Sequence, residues 1–175
     1  LSYPVMQEMS TAGAKVLNAH AVQFAKEKQI AVYARASFAP GRETVVRLMP
    51  PEAITGVQAV VSEERITRVR FSGTGALEHF DRAVRLLEER QVQIKEINVS
   101  HVAADAGRSR GGFVVSTANV YGWESLESEL ARRFGGDIAF DHDLAALSLI
   151  GEGLNRNNLA LTATMDLLRR NGIPL

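Results

Sequence analysis

Two stretches of this chain repeat one another's punctuation. Ser72-Gly73-Thr74-Gly75 precedes a helical pattern carrying Leu86-Leu87, and Ile150-Gly151-Glu152-Gly153 precedes another carrying Leu167-Leu168. The offset is roughly 80 residues, the length of one supersecondary unit rather than of a short solenoid repeat. Between the two glycine stretches, strand and helix patterns alternate. Ile66-Thr67-Arg68-Val69-Arg70-Phe71 alternates apolar and polar side chains, as a half-buried strand must. Leu77, Phe80, Val84 and Leu87 then recur at helical spacing, with Glu78, Asp81, Arg82, Arg85 and Glu88 on the other face. Strands over 92–102 and 112–117 flank a turn at Ala104-Asp105-Ala106-Gly107-Arg108. Trp123, Leu126 and Leu130 mark a second helix, and Gly135-Gly136 leads into the strand Ile138-Ala139-Phe140. With a strand over 54–61 and a turn at Glu63-Glu64 before it, the order is βαββαβ, an α+β, ferredoxin-like plan. The segment from Leu144 to Ile150 begins the same plan again, incomplete at Leu175, unless the strand over 54–61 is shared with this second unit.

The first 50 residues read differently. Val5, Met9, Val16, Leu17, Ala21, Phe24 and Ala25 lie near the helical period, interrupted by Gly13, which predicts two short helices meeting there. Two β-rich runs follow, Ile30 to Ala34 and Thr44 to Leu48, separated by Phe38-Ala39-Pro40-Gly41. Pro50-Pro51 cannot continue a ladder and marks a boundary. The expected division is therefore 1–50, 51–141 for the first βαββαβ unit, and 142–175 for the start of a second.

Composition limits the partners. Lysine and arginine total 20, as do aspartate and glutamate, so no summed field draws nucleic acid or an anionic membrane. No apolar run approaches the roughly 20 residues that span a bilayer. The absence of cysteine removes thiolate chemistry and cysteine-ligated metals, and fits a cytoplasmic setting. Opening on Leu1 and stopping in Ile173-Pro174-Leu175, the chain reads as cut from something longer.

Few residues qualify for chemistry. His20, His79, His101 and His142 stand far apart, without a partner at metal or triad spacing. Asp141-His142-Asp143 reads as a solvated turn between two strands, and Arg108-Ser109-Arg110-Gly111-Gly112 as a hairpin loop rather than an RNA-binding patch. Neither glycine stretch is followed by the lysine and hydroxyl of a phosphate-binding loop, so no catalytic residue and no metal ligand is assigned. Backbone N–H groups freed at a helix start can still hold a carboxylate. In Gly13-Ala14-Lys15-Val16-Leu17 a lone cation stands beside a glycine, either as a surface lysine or as a contact for a nucleotide phosphate.

Taken together, Ser2-Tyr3, Met6, Glu8-Met9, Gly13-Ala14-Lys15-Val16-Leu17, Val22, Ala25, Ile30 and Ala36-Ser37-Phe38 resemble the end of the amino-acid-kinase domain of aspartokinases. Ile54-Thr55-Gly56-Val57, Asn98-Val99-Ser100 and Leu147-Ser148-Leu149-Ile150-Gly151 with Gly153-Leu154 resemble the ACT regulatory units that follow it. The resemblance implies a parent phosphotransferase making 4-phospho-L-aspartate from L-aspartate and ATP, with ACT units for amino-acid feedback and dimerisation. It implies that Lys15 and Val16 contact ATP in the parent. It further implies that Gly75, Ala76, Asn98 and Ser100 bind an effector, lysine or threonine, and that the partner is a second copy of the chain. The family's Lys-Phe-Gly-Gly-Thr motif has no counterpart here, so the fragment alone is expected to be inactive and to bind no ATP tightly. The chain also departs from the family's Asp-x-Pro-Gly turn at Gly73-Thr74-Gly75, has Ile97 where many members have glutamine, and has Arg156-Asn157-Asn158-Leu159 where Ser-His-Pro-Gly is usual. Two other functions compete: a degenerate ACT-like module that only dimerises, and an unrelated amino-acid sensor sharing the ferredoxin-like plan.

Overall fold

The computed structural model describes residues 1–38, 41–48, 55–101 and 109–175. Their contacts fall into two units, Leu1–Ser62 with Leu147–Leu175, and Glu63–Ala146. The boundary expected at Pro50-Pro51 and the turn expected over 104–108 lie outside the described residues.

In the first unit, α1 (Tyr3–Thr11) starts where the Ser2 hydroxyl accepts from the Val5 N–H, with Pro4 in the first turn, where its missing N–H costs nothing. It stops before Gly13, whose φ of 104° no helix accommodates. Asn18 caps α2 (Ala19–Glu27) by accepting from the His20 N–H at 2.8 Å. The two helices are thus separated by residues 12–18 rather than meeting at the glycine. Strands β1 (Val32–Ala34) and β2 (Thr44–Val46) pair antiparallel, Val32 opposite Val46. Tyr3, Met6, Val22, Ala25 and Val46 close this core, and the Tyr3 hydroxyl donates to the Ile30 carbonyl at 2.7 Å. Phe24, which the helical spacing sets with the inner residues, is exposed, because α2 turns Val22 and Ala25 inward.

The second unit carries the βαββαβ order. That order is β3 (Gly56–Gly73), α3 (Ala76–Glu89), β4 (Ile94–His101), β5 (Ser109–Ser116), α4 (Trp123–Phe134) and β6 (Ile138–Glu152), with a 3₁₀ turn over Gly135–Asp137; β3 up to Ser62 and β6 from Leu147 count with the first unit. The sheet order is β4-β5-β3-β6, with β5 antiparallel to both β3 and β4. Val69, Phe71, Phe113 and Val115 point to one face, where Ala83, Leu87, Leu126, Leu130 and Phe134 of the two helices cover them. The alternation read in Ile66–Phe71 is therefore real, and its inward half is the core. Beyond β6, a short 3₁₀ turn and α5 (Leu159–Arg170) return to the first unit, where Val5, Val61 and Ile150 pack together.

Three sequence expectations are corrected. Glu63-Glu64 is no turn, since β3 runs through it. Glu63 is buried and its carboxylate takes Lys95 Nζ at 2.8 and 3.0 Å, which gives an acidic residue a place inside a strand. Asp141-His142-Asp143 likewise lies within β6 and joins no pair of strands. Asp141 accepts from Arg70 Nη2 at 2.7 Å and Arg68 Nε at 2.9 Å, while His142 Nε2 lies 3.2 Å from Glu127. Ser109 to Gly112 begin β5 instead of forming a loop. Gly111 leaves room for the Phe80 ring, whose nearest atom would stand 2.9 Å from an added Cβ.

Two outcomes follow. A Cβ on Gly151 would stand 1.9 Å from the Gly56 carbonyl oxygen, so Gly151→Ala forces backbone apart. Urea denaturation is expected to show a loss above about 3 kcal/mol. Gly136→Ala, where a Cβ meets nothing within 4 Å, serves as the control. Hydrogen bonds from Arg70 and then Arg68 hold the Asp141 carboxyl below the usual carboxylate range. A carboxyl lowered by folding stabilises above its unfolded value of about 3.9 and loses that contribution as pH falls through its lower folded value. Wild type is therefore expected to exceed Asp141→Asn in melting temperature at pH 7, with the gap closing below about pH 4.

Candidate functional site

The start of α3 is built around glycine for two distinct reasons. Gly73 ends β3 at φ 128°, a backbone region closed to side chains, and a Cβ there would also stand 3.0 Å from Asp137 Oδ1. Gly75, the N-cap of α3, has φ −94° and needs no left-handed geometry; a Cβ there would stand 3.4 Å from the His79 ring. Among the described residues no side chain caps this end, so the first N–H groups of α3 keep the donors of a bare helix start. Ala76 follows, fully buried in the helix–sheet core.

Asn98 and Ser100 lie on β4, an edge strand. The ladder sets Arg70, Gly112 and Asn98 in one row across β3, β5 and β4, and Ser72, Arg110 and Ser100 in the next. A Cβ on Gly112 would lie 3.4 Å from both amide atoms of Asn98, so the glycine opens the space that the amide occupies. A register shift between Lys95 and Asn98, with Glu96 at φ 49°, gives β4 one extra residue and sets which side chains follow on each face. Ser100 therefore reaches the same end of the sheet as the Gly73–Gly75 turn. Asn98 and Ser100 stand on the face opposite the helices, exposed, whereas Gly75 and Ala76 belong to the helix side. Within one copy the four residues share a sheet end but not a single pocket.

Lys15 and Val16 lie in the other unit, in the bend between α1 and α2, both exposed. Lys15 falls three residues before the Asn18 cap, so it precedes the helix instead of riding on its surface.

The histidines are better partnered than their sequence positions suggest. His79 Nδ1 lies 3.1 Å from Asp137 Oδ2, and His101 Nδ1 3.0 Å from the buried Ser109 hydroxyl. Glu127 also accepts from Trp123 Nε1 at 2.8 Å, which links the tryptophan to His142. These pairs join residues of different elements brought together by the fold, and no local spacing announces them. Among the described residues, no group of three histidine, aspartate or glutamate side chains could hold a metal ion, and no helix is long and apolar enough to cross a membrane.

No protein-family model matches the chain. The aspartokinase of Geobacillus stearothermophilus is 26% identical over 176 residues, covering 100% of this chain and 42% of the relative. A solved structure of the Clostridium acetobutylicum aspartate kinase superposes with a TM-score of 0.70 at 18% identity, covering 98% of this chain and 40% of that one. E. coli aspartokinase III, solved in complex with lysine and aspartate, gives a TM-score of 0.69 at 19% identity, over 88% of this chain and 34% of its own. The chain thus spans about two fifths of the length of the curated relatives that it matches. Similarity in sequence along the whole chain, joined to the same fold, identifies it as a C-terminal segment of the aspartokinase family.

Proposed function

We propose that this chain is the regulatory part of an aspartokinase and that its Glu63–Ala146 unit receives an amino-acid effector, lysine or threonine. The parent enzyme transfers the terminal phosphoryl group of ATP to the side-chain carboxylate of L-aspartate, giving 4-phospho-L-aspartate. The observation that carries this reading is the run of sequence similarity to aspartokinases over the full chain. The chemistry of the sheet end supports it. Uncapped N–H groups at the start of α3 suit a carboxylate, and the Asn98 amide and Ser100 hydroxyl offer donors and acceptors to an ammonium and a carboxylate alike. Because those groups lie on opposite faces in one copy, an amino acid touching both would sit at the edge of β4, where a second copy can complete the site.

Lys15 and Val16 would meet ATP only with the rest of the kinase domain in place, so this chain alone binds ATP weakly and turns nothing over. A coupled assay for ADP release with ATP and aspartate is expected to read background; turnover above it would overturn this part.

A second reading, an ACT-like module that dimerises without an effector, is favoured by one feature. Ile97 and Val99 are 60% and 53% exposed on the edge strand β4, a ready template for strand pairing between copies. A thermal-shift series with L-lysine, L-threonine and L-methionine separates the two. A ligand at 100 times its dissociation constant stabilises by about 2.7 kcal/mol, and Asn98→Ala is expected to remove most of that shift. No shift with any amino acid, with a dimer in sedimentation velocity, would replace the first reading with the second.

A further inference from the structure

The turn leading into α3 is packed from within by an imidazole and a carboxylate. Asp137 fills the space beside Gly73, and His79 the space beside Gly75. Their contact is short, 3.1 Å between Nδ1 and Oδ2, yet it lies off hydrogen-bond direction, so the buried His79 Nδ1 has no hydrogen-bond partner among the described residues. A buried polar atom left unmatched calls for an explanation. The ring is held in place by Phe134, 5.4 Å away between centroids, itself part of the core.

The charged groups around this imidazole are few. Asp137 comes from the 3₁₀ turn after α4. On α3 itself are Glu78 and Arg82, 3.9 Å apart, with the Arg82 guanidinium 5.9 Å over the Phe134 ring. From α4 comes the Phe134 ring, and from the end of β3 the bare backbone of Gly73. When the imidazole is neutral and protonated on Nε2, Nδ1 and the carboxylate are two acceptors facing each other. When it is charged, both nitrogens carry protons and Nδ1 becomes a donor beside Asp137, which a small turn of the ring brings into line. The two protonation states thus make opposite contacts at the same place.

We propose that His79 and Asp137 form a proton-linked latch on the Gly73–Gly75 turn: charging the imidazole draws the pair into a hydrogen-bonded ion pair that fixes the turn, and discharging it releases the turn. The sign follows from the pairing. The contribution is present where the imidazole is charged and is lost as pH rises. Its regulatory consequence rests on the reading of α3's entry as part of an effector site. An amino acid would meet a preorganised turn when the imidazole is charged and a looser one when it is neutral.

The test needs no ligand, so it stands or falls apart from the effector reading. Amide hydrogen exchange at residues 73–77, corrected for the intrinsic pH dependence, is measured at pH 6 and pH 8 for wild type, His79→Gln and Asp137→Asn. Wild type is expected to show about threefold greater protection at pH 6, the scale of a partly exposed ion pair, and both variants none of that difference. Equal protection of wild type at both pH values, or an undiminished pH response in Asp137→Asn, would overturn the latch. Should a variant fail to fold, the ¹⁵N shifts of His79 in wild type decide. A proton on Nδ1 at pH 6 and a bare Nδ1 at pH 8 support it, and a proton on Nδ1 at both pH values overturns it. With the latch established, loss of every amino-acid thermal shift would count against the effector reading alone.

Discussion

One aromatic side chain holds the layers of the βαββαβ unit together. Phe71, on the central strand β3, is 1% exposed and touches Phe80 of α3, Phe113 of β5 and Phe134 of α4, with ring centroids 6.0, 6.1 and 5.8 Å away. The contacts to Phe80 and Phe134 are edge-to-face, the arrangement that adds to simple burial. Burying such a side chain is worth about 3 kcal/mol, and here that gain is shared between both helices and two strands. The start of α3 therefore has little freedom to drift. Phe80 fixes it from one side by occupying the space over Gly111, and the His79 ring, resting on Phe134, fixes it from the other.

The polar face of the same sheet follows a different rule. Val69 and Phe71 alternate with Arg68 and Arg70, so each inward apolar residue sends a cation outward. Two of those cations converge on the single carboxylate of Asp141. Exposed ion pairs of this kind contribute little energy, but they decide register, because slipping β6 by one residue would turn Asp141 to the core. Lys95 and Glu63 do the corresponding task between β4 and β3, at a more buried position. Polar pairs thus pin the strands that the aromatic cluster compresses, and the edge they define presents Asn98 and Ser100 to solvent.

Much of this was legible in the sequence. The alternation in Ile66–Phe71 and the helical stripe of Phe80, Val84 and Leu87 each depend on neighbours within one element, and both appear as read, although Ala76, Ala83 and Leu86 join the core in place of Leu77. Pairs remote along the chain were not legible. Glu63-Glu64 looks like a turn until Lys95 is set beside it, and Asp141-His142-Asp143 looks like a turn until Arg68, Arg70 and Glu127 are. The echo between the two glycine stretches is real as a strand-to-helix junction, but its physics differs on each side. Gly73 supplies a left-handed backbone and room for Asp137, whereas Gly151 permits the close approach of Gly56. Leu86 and Leu87 are buried, while Leu167 is 61% exposed. At the candidate site, Gly75, Asn98 and Ser100 came from resemblance to a family, and their shared sheet end became visible only through the strand register. His79 and Asp137, 58 residues apart, left no local signal.

In the proposed function, the end of the sheet formed by the entry to α3 and the edge of β4 receives an amino acid. This is tested most directly by following the backbone amide resonances of the ¹⁵N-labelled chain during titration with L-lysine and L-threonine. Saturable shifts concentrated at Gly75, Ala76, Asn98 and Ser100 are expected for one of the two. Saturable shifts clustered elsewhere, or none with either amino acid, would contradict it.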